Sequence, residues 1–166
     1  MKKKLCIILG FILVALFSNE KIQAQESKPG ILPDTLQVSL LTCGPGTEVY
    51  ELFGHTALRV KQQRPGGFDY VFNYGMFNFD VPGFIWRFTK GETDYCLGIN
   101  DFPDFLLNYQ FRESKVDEQV LNLTPIQSRA LLEALLVNAM PQNRVYQYNF
   151  LFDNCATRPR NMVEMV

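Results

Sequence analysis

Positions 54–60 read Gly54-His55-Thr56-Ala57-Leu58-Arg59-Val60, an alternating pattern that predicts a β-strand beginning at the histidine. The turn sequence Arg64-Pro65-Gly66-Gly67 follows, and Asp69 to Gly75 returns as a second predicted strand. The two strands form a predicted hairpin, which brings Asn73 back beside His55. We expect the fold to be built around this hairpin.

The other predicted elements complete a single α+β unit. The clearest is a helix with Thr124 as N-cap, Pro125 at its first position and Gln127 completing a capping box, and it ends before Pro141. Another helix is opened by Asp101 and runs to Tyr109. Short helical segments are predicted from 47 to 52 and, as a helix or loop, from 82 to 88. Predicted strands cover 36–42, 92–97 and 115–121, and 145–152 is expected to be extended.

The amino terminus has the pattern of a secretory signal. Three lysines, Lys2 to Lys4, precede an apolar run from Leu5 to Phe17, and small Ala24 follows. We predict a signal peptide over residues 1–24 and a domain over residues 34–166. An uncleaved anchor is the alternative, although the apolar run is short for a bilayer. The protein is therefore expected to be exported.

Charge and length limit the function classes. Residues 1–24 contain four of the 16 Lys and Arg and one of the 17 Asp and Glu, so 12 basic and 16 acidic residues remain. This balance provides no basic field for nucleic acid, which we exclude as a partner. About 140 residues suffice for one domain. The many aromatic residues can build a core, a lipid-facing groove or both.

Two residues suggest cysteine chemistry. His55 is the only histidine, and Cys155 lies in Asp153-Asn154-Cys155-Ala156-Thr157. Asp and Asn favour helix N-caps, so we expect Cys155 in the first helical turn, where free amides favour a thiolate. Pro159 is expected to kink this helix or restart it after Thr157. The alternatives are a structural histidine and a buried, inert cysteine.

Cysteine counting leaves several pairings open. After signal removal an odd number of cysteines remains, namely Cys43, Cys96 and Cys155. A disulfide between Cys43 and Cys96 would leave Cys155 as the reactive thiol, and Cys43 is the rival thiol. A zinc site from the three cysteines and His55 is formally possible, but the chain has no close C-x-x-C pair. We predict neither a metal nor a cofactor.

Four further side chains are candidates for substrate binding. Arg158 and Arg160 flank the proposed nucleophile, and guanidinium groups match phosphate oxygens. Both arginines can equally be solvated surface charges. Tyr74 and Tyr148 are pocket candidates whose alternative role is core packing.

Ordered motifs along the chain carry a family resemblance. They are Leu41-Thr42-Cys43-x-Pro45-Gly46, the 53–60 stretch, Phe72-Asn73-Tyr74-Gly75, Lys90-Gly91-Glu92, Leu121-Asn122-Leu123-Thr124 and the segment from Tyr148 to Arg160. From about Asp34 to its end, the chain resembles the N-terminal periplasmic domain of Lnb-type lipoprotein N-acyltransferases, found in Bacteroides and relatives. Its histidine-first, cysteine-last order is similar to the permuted branch of the papain-like NlpC/P60 superfamily, which includes lecithin:retinol acyltransferase-like enzymes.

The resemblance implies a fold and a reaction. The fold would be α+β, an antiparallel sheet with packed helices. Cys155 would take an acyl chain from a membrane phospholipid as a thioester and pass it to the N-terminal amine of a lipoprotein, with His55 as base and Asn73 orienting the imidazole. The family is expected to carry a membrane-embedded region after this domain. We therefore expect the chain to be the front part of something longer, or truncated, and to act at the membrane surface.

Two other function classes stay open. Related papain-like folds cleave peptide bonds in the cell wall, and a polar, open cleft beside Cys155 would favour that activity. An apolar groove would favour lipid. A non-catalytic periplasmic module is the third possibility, and it requires His55 and Cys155 to lie far apart.

Overall fold

The computed structural model of the protein describes residues 35–47, 51–77, 82–83, 86–87, 90 and 93–166. The predicted signal peptide lies outside the described residues. So do residues 84, 85 and 88 of the predicted helix or loop at 82–88 and residues 48–50 of the predicted short helix. Within the described part, no helix combines the length and apolar character needed to cross a membrane.

Six strands form one antiparallel sheet. The strands are β1 (Leu36–Cys43), β2 (His55–Gln62), β3 (Asp69–Met76), β4 (Asp94–Asp101), β5 (Val116–Val120) and β6 (Val145–Gln147). Their order across the sheet is β5-β1-β2-β3-β4-β6. Every neighbouring pair is antiparallel. With the helices described below, this arrangement confirms the α+β class.

The predicted hairpin is present. Strands β2 and β3 pair with Leu58 opposite Phe72, and the connection contains Gly66 at φ +69°. A glycine accepts this left-handed conformation without the steric cost of a side chain. β2 begins at His55, as the alternating pattern of the sequence predicts.

Among the residues that the structure describes, three helices cover the two faces of the sheet. They are α1 (Phe102–Phe111), α2 (Pro125–Ala139) and α3 (Thr157–Glu164). α2 has the predicted capping box in full, because Thr124 and Gln127 each accept a hydrogen bond from the other's backbone amide. α1 follows Asp101, as predicted, although the Asp101 side chain makes no capping hydrogen bond.

Each face of the sheet has its own core. Met162 of α3 and Leu131 and Leu135 of α2 pack against one face. Phe105 and Tyr109 of α1 pack against the other. The second core also contains four buried residues of the sheet, Leu41, Cys43, Ala57 and Val71. Cys43 pairs with His55 across β1 and β2, so the histidine projects from the face that α1 covers.

A buried arginine ties four elements together on the α1 face. Arg59 of β2 is ion-paired with Asp69 of β3 at 2.5 Å and with Glu118 of β5 at 2.9 Å. Its guanidinium carbon lies 3.4 Å from the ring centroid of Phe102 in α1. Its charge is compensated by two carboxylates, which makes the burial of a guanidinium tolerable.

Two predicted elements differ from the structure. The strand predicted at 92–97 is shifted along the chain, because the observed strand β4 begins at Asp94 and ends at Asp101. The segment predicted to be extended from 145 to 152 forms only the short β6, because a tight turn follows it. In that turn the side-chain oxygen of Asn149 accepts hydrogen bonds from the amides of Leu151 and Phe152, each at 3.0 Å. Asn side chains commonly close turns in this way.

Candidate active site

The start of β2 depends on a glycine. Gly54 has φ +71°, and a β-carbon there would lie 2.6 Å from the carbonyl oxygen of Cys43. Both the conformation and the close approach exclude other residues. Gly54 therefore fixes where the chain turns into β2, and His55 is the first residue of that strand.

His55 is paired with Asn73, as the hairpin predicts. Its Nε2 lies 2.5 Å from Oδ1 of Asn73, while Nδ2 of Asn73 donates to the sulfur of Met76 at 3.4 Å. A carboxamide oxygen only accepts hydrogen bonds, so the neutral imidazole donates from Nε2. The lone pair that can take a proton is then on Nδ1.

Cys155 lies in a turn that precedes α3. The prediction that it occupies the first helical turn is wrong, because α3 begins at Thr157. Oδ1 of Asn154 instead accepts hydrogen bonds from the amides of Ala156 and Thr157, both at 2.9 Å. Pro159 has no amide hydrogen, so it fits the first turn of α3, where amides have no partner within the helix. Asn154 thus fixes the backbone on the C-terminal side of Cys155.

Gly75 lies beside both the histidine and the cysteine. The pairing of β3 and β4 shifts register between Asn73 and Met76, and Gly75 within this irregular stretch has φ +93°. A β-carbon at this position would lie 3.6 Å from Cβ of Cys155 and 3.8 Å from Cε1 of His55. One methyl group would therefore touch both residues. Bulges of this kind often re-aim side chains next to active sites.

The surroundings favour neutral forms of both groups. Burial lowers the pKa of His55, and the hydrogen bond to Asn73 partly opposes that effect. Burial raises the pKa of the Cys155 thiol, against the influence of the backbone amides of Thr56 and of Cys155 itself. At neutral pH the resting pair is a thiol and a neutral imidazole, so the imidazole can act as a general base at the moment of attack.

A pocket of about 240 Å³ opens beside His55 and Asn73. Tyr109 from α1 and Arg112 just after it line the side opposite the hairpin. Arg112 is ion-paired with Glu51 at 2.5 Å. Tyr109, Arg112 and Glu51 were not predicted as site residues, because no local sequence pattern indicates that the end of α1 reaches the start of β2.

The predicted substrate-binding residues lie in different surroundings. Arg158 is held by a bidentate ion pair to Asp153, with distances of 2.5 and 2.8 Å. Its guanidinium carbon also lies 3.6 Å from the ring centroid of Tyr146. Arg160 is exposed, and its guanidinium bonds Asn161 and pairs with Glu164 on α3. Tyr74 is buried in the core, and Tyr148 stacks on Tyr95 with ring centroids 4.4 Å apart.

The three cysteines of the described region are all free thiols. Cys43 is buried, whereas Cys96 and Cys155 are partly exposed. The disulfide considered between Cys43 and Cys96 is thus not formed. In the described ranges, no group of three or more His, Cys, Asp or Glu side chains is placed to hold a metal ion.

Comparison with known proteins places the sequence in a family. A family model described as the Lnb N-terminal periplasmic domain matches residues 25–166. No curated protein and no solved structure matches the chain. The family match covers most of the sequence and includes His55, Asn73 and Cys155. The chain therefore belongs to the family of Lnb N-terminal periplasmic domains.

Proposed function

We propose that this protein is a thiol-dependent acyltransferase. It moves an acyl chain from a membrane phospholipid, through a thioester on Cys155, to the N-terminal amine of a lipoprotein. The observation that carries the proposal is that His55 and Cys155, which are about a hundred residues apart in the sequence, both lie against Gly75. A non-catalytic module has no need for that arrangement.

In the first half-reaction, the Cys155 sulfur attacks the carbonyl carbon of a phospholipid ester. Nδ1 of His55 takes the thiol proton as the C–S bond forms. When the tetrahedral intermediate collapses, the C–O bond breaks and the same proton passes to the leaving oxygen of the lysophospholipid. The amides of Thr56 and Cys155 lie near the sulfur and are the candidate donors to the oxyanion.

In the second half-reaction, the lipoprotein amine attacks the thioester. His55 accepts a proton from the amine and returns it to the sulfur as the C–S bond breaks. The products are an N-acylated lipoprotein and the free thiol of Cys155. Asn73 keeps Nε2 protonated throughout, which leaves Nδ1 as the basic nitrogen.

Lipid is favoured over cell-wall peptide by the side chains around the site. The segments just before His55 and just before Cys155 both expose large apolar residues, including Phe53 and Phe152. A peptide cleft would have polar groups there. Arg160, whose guanidinium is exposed, remains our candidate for the lipid phosphate, whereas Arg158 would first have to give up its pair with Asp153.

The fold proposal accompanies the chemical one. The order of a histidine strand, an Asn on the next strand and a late cysteine supports a permuted papain-like arrangement of the NlpC/P60 type. The family assignment supports a periplasmic location. Within that compartment, the proposed substrates place the protein at the membrane surface.

Trapping the thioester tests the function directly. The purified chain is incubated with phospholipid vesicles, and intact mass spectrometry followed by peptide mapping is used to find the acyl group. We expect a hydroxylamine-sensitive acyl group on Cys155 that is discharged when a diacylated lipopeptide is added. The Cys43→Ala chain should still form the adduct. If phospholipid leaves Cys155 unmodified while the chain cleaves peptidoglycan peptides, the transferase proposal is wrong.

A further inference from the structure

Two short segments next to the proposed site expose a continuous apolar surface. We define the apolar rim as Leu52, Phe53, Phe150, Leu151 and Phe152, whose exposed fractions run from 53% to 80%. Phe53 and Phe150 make an edge-to-face contact with ring centroids 5.2 Å apart. The two segments therefore form one surface, although almost a hundred residues separate them in the sequence.

The apolar rim borders the proposed site from both sides. Phe53 stands two residues before His55, and Phe152 stands three residues before Cys155. Glu51 and Gly54, on either side of Leu52 and Phe53, line the pocket that reaches His55. Any surface that covers the rim is thus brought to the edge of that pocket.

Many backbone groups of the segment 149–153 form hydrogen bonds within that segment or with Asn154. Asn149 accepts hydrogen bonds from the amides of Leu151 and Phe152, and the carbonyl of Phe150 accepts one from Nδ2 of Asn154 at 2.7 Å. The backbones of Asn149 and Asp153 bond each other in both directions, at 2.8 and 3.0 Å. Protein interfaces normally use such groups for hydrogen bonds across the contact. A segment that keeps them internal suits a partner that offers no hydrogen bonds, such as lipid acyl chains.

Charges near the rim are compatible with a bilayer. The acidic residues of the described segments 51–54 and 149–155 are Glu51 and Asp153, and each is ion-paired with an arginine, Arg112 and Arg158 respectively. Neither carboxylate is left unpaired to repel an anionic lipid. The arginines that pair with these carboxylates leave both segments without a net negative charge beside the rim.

We propose that the apolar rim inserts into the surface of a phospholipid bilayer and seats the site on its acyl donor. The occupant is the boundary between headgroups and acyl chains, where aromatic side chains are favoured. This inference rests on the proposed function, since it assumes that the donor is a bilayer lipid. It adds the surface through which the donor is reached.

Depth-dependent fluorescence tests the proposal. The chain has one tryptophan, Trp86, so Trp86→Phe gives a silent background in which Phe53→Trp or Phe152→Trp reports one position. The probe is a vesicle of phosphatidylethanolamine and phosphatidylglycerol with brominated acyl chains. We expect a blue shift and strong quenching at positions 53 and 152. Ile126→Trp is the matched control, because Ile126 at the start of α2 is equally exposed but lies outside the rim.

A second measurement uses the full chain without a reporter. Phe53→Ser combined with Phe152→Ser should lower vesicle partitioning by at least about tenfold, since the burial of each ring contributes to affinity. Ile126→Ser should leave partitioning within about twofold. All other residues are kept in every variant, so differences report the substituted positions.

The possible results distinguish the membrane-insertion proposal from the acyltransferase proposal. Absent quenching at positions 53 and 152, or equal quenching at 126, overturns the proposal. So does a blue shift without vesicles that grows with protein concentration, because the rim would then join two copies of the chain. Quenching requires no turnover, so a chain that quenches normally but never forms a thioester supports the rim and removes the transferase.

Discussion

Two cysteines lie near the same histidine in very different surroundings. Cys43 is the direct partner of His55 across β1 and β2, and it is buried, with burial raising its pKa to about 11. Cys155 comes from the other end of the sequence, is partly exposed, and has the amides of Thr56 and Cys155 opposing the rise in its pKa. Strand register therefore does not select the nucleophile. Access and local amide donors distinguish the two thiols.

Replacing each cysteine by alanine should give the largest difference in acyl transfer between the two thiols. Cys155→Ala removes the attacking atom, and we expect acyl transfer to fall by about a thousandfold or more. His55→Ala should lower it to a similar extent, because both residues act in the same step. The measurement is transfer of a labelled acyl chain from vesicles to a lipopeptide.

Cys43→Ala is the matched control for the same assay. It should retain transfer and cost about 1 kcal/mol of stability, measured by urea unfolding, because it leaves a small void in the α1 core. If Cys43→Ala abolished transfer and Cys155→Ala did not, the assignment of the two thiols would be reversed.

Substitution of Gly75 tests the space between His55 and Cys155. Gly75→Ala should cost about 1–2 kcal/mol in backbone strain, because its φ is positive. The new methyl group would also stand against both His55 and Cys155, so we expect transfer to fall by about tenfold to a hundredfold. Gly66→Ala has a comparable positive φ with no atom nearby, and it should lower stability alone. Equal effects of the two substitutions on transfer would show that Gly75 acts only through the backbone.

Substitutions of Asn73 test the role of His55 as the base. Asn73→Ala should lower transfer at neutral pH by about tenfold, because the imidazole loses the partner that fixes its tautomer. The hydrogen bond also raises the His55 pKa against burial. Without it, that pKa falls further and the acidic limb of the pH–rate profile moves to lower pH. Asn73→Asp should move the acidic limb to higher pH. If the limb stays in place in both variants, His55 is not the group whose titration it reports.

Labelling kinetics should give the smallest difference between the two thiols. In a Cys96→Ser background, iodoacetamide should modify Cys155 at least about tenfold faster than Cys43 at pH 8, because Cys43 is buried and has a pKa of about 11. Since the Cys155 pKa is also raised, its labelling rate should keep increasing above pH 8. Peptide mapping by mass spectrometry measures both rates, and faster labelling of Cys43 would contradict the comparison.

Local signals predicted much of the fold and half of the candidate site. The hairpin and its turn placed Asn73 beside His55, and the capping box of α2 is present in full. These features succeed because their interactions lie within a few residues or across one turn. Cys155 was proposed from the Asp153-Asn154 sequence that precedes it, and the family resemblance supports that choice.

Other features depend on contacts between distant segments. Arg59 was placed in a strand by its pattern, yet nothing in that pattern names Asp69 and Glu118 as its partners. The start of α3 was predicted too early, because Pro159 has no amide hydrogen to donate to the carbonyl of Cys155, so the helical hydrogen bond from the Arg158 amide to the Asn154 carbonyl is not continued at the next residue.

The distance along the chain between His55 and Cys155 has a consequence for biosynthesis. β6 joins the outer side of β4, and the turn holding Cys155 follows it, so the thiol reaches the base only after the hairpin and β4 have assembled. Contacts of such long sequence separation form late, because loop closure costs entropy before it is rewarded. The proposed site is therefore completed only when β6 has paired with β4, after the hairpin has formed.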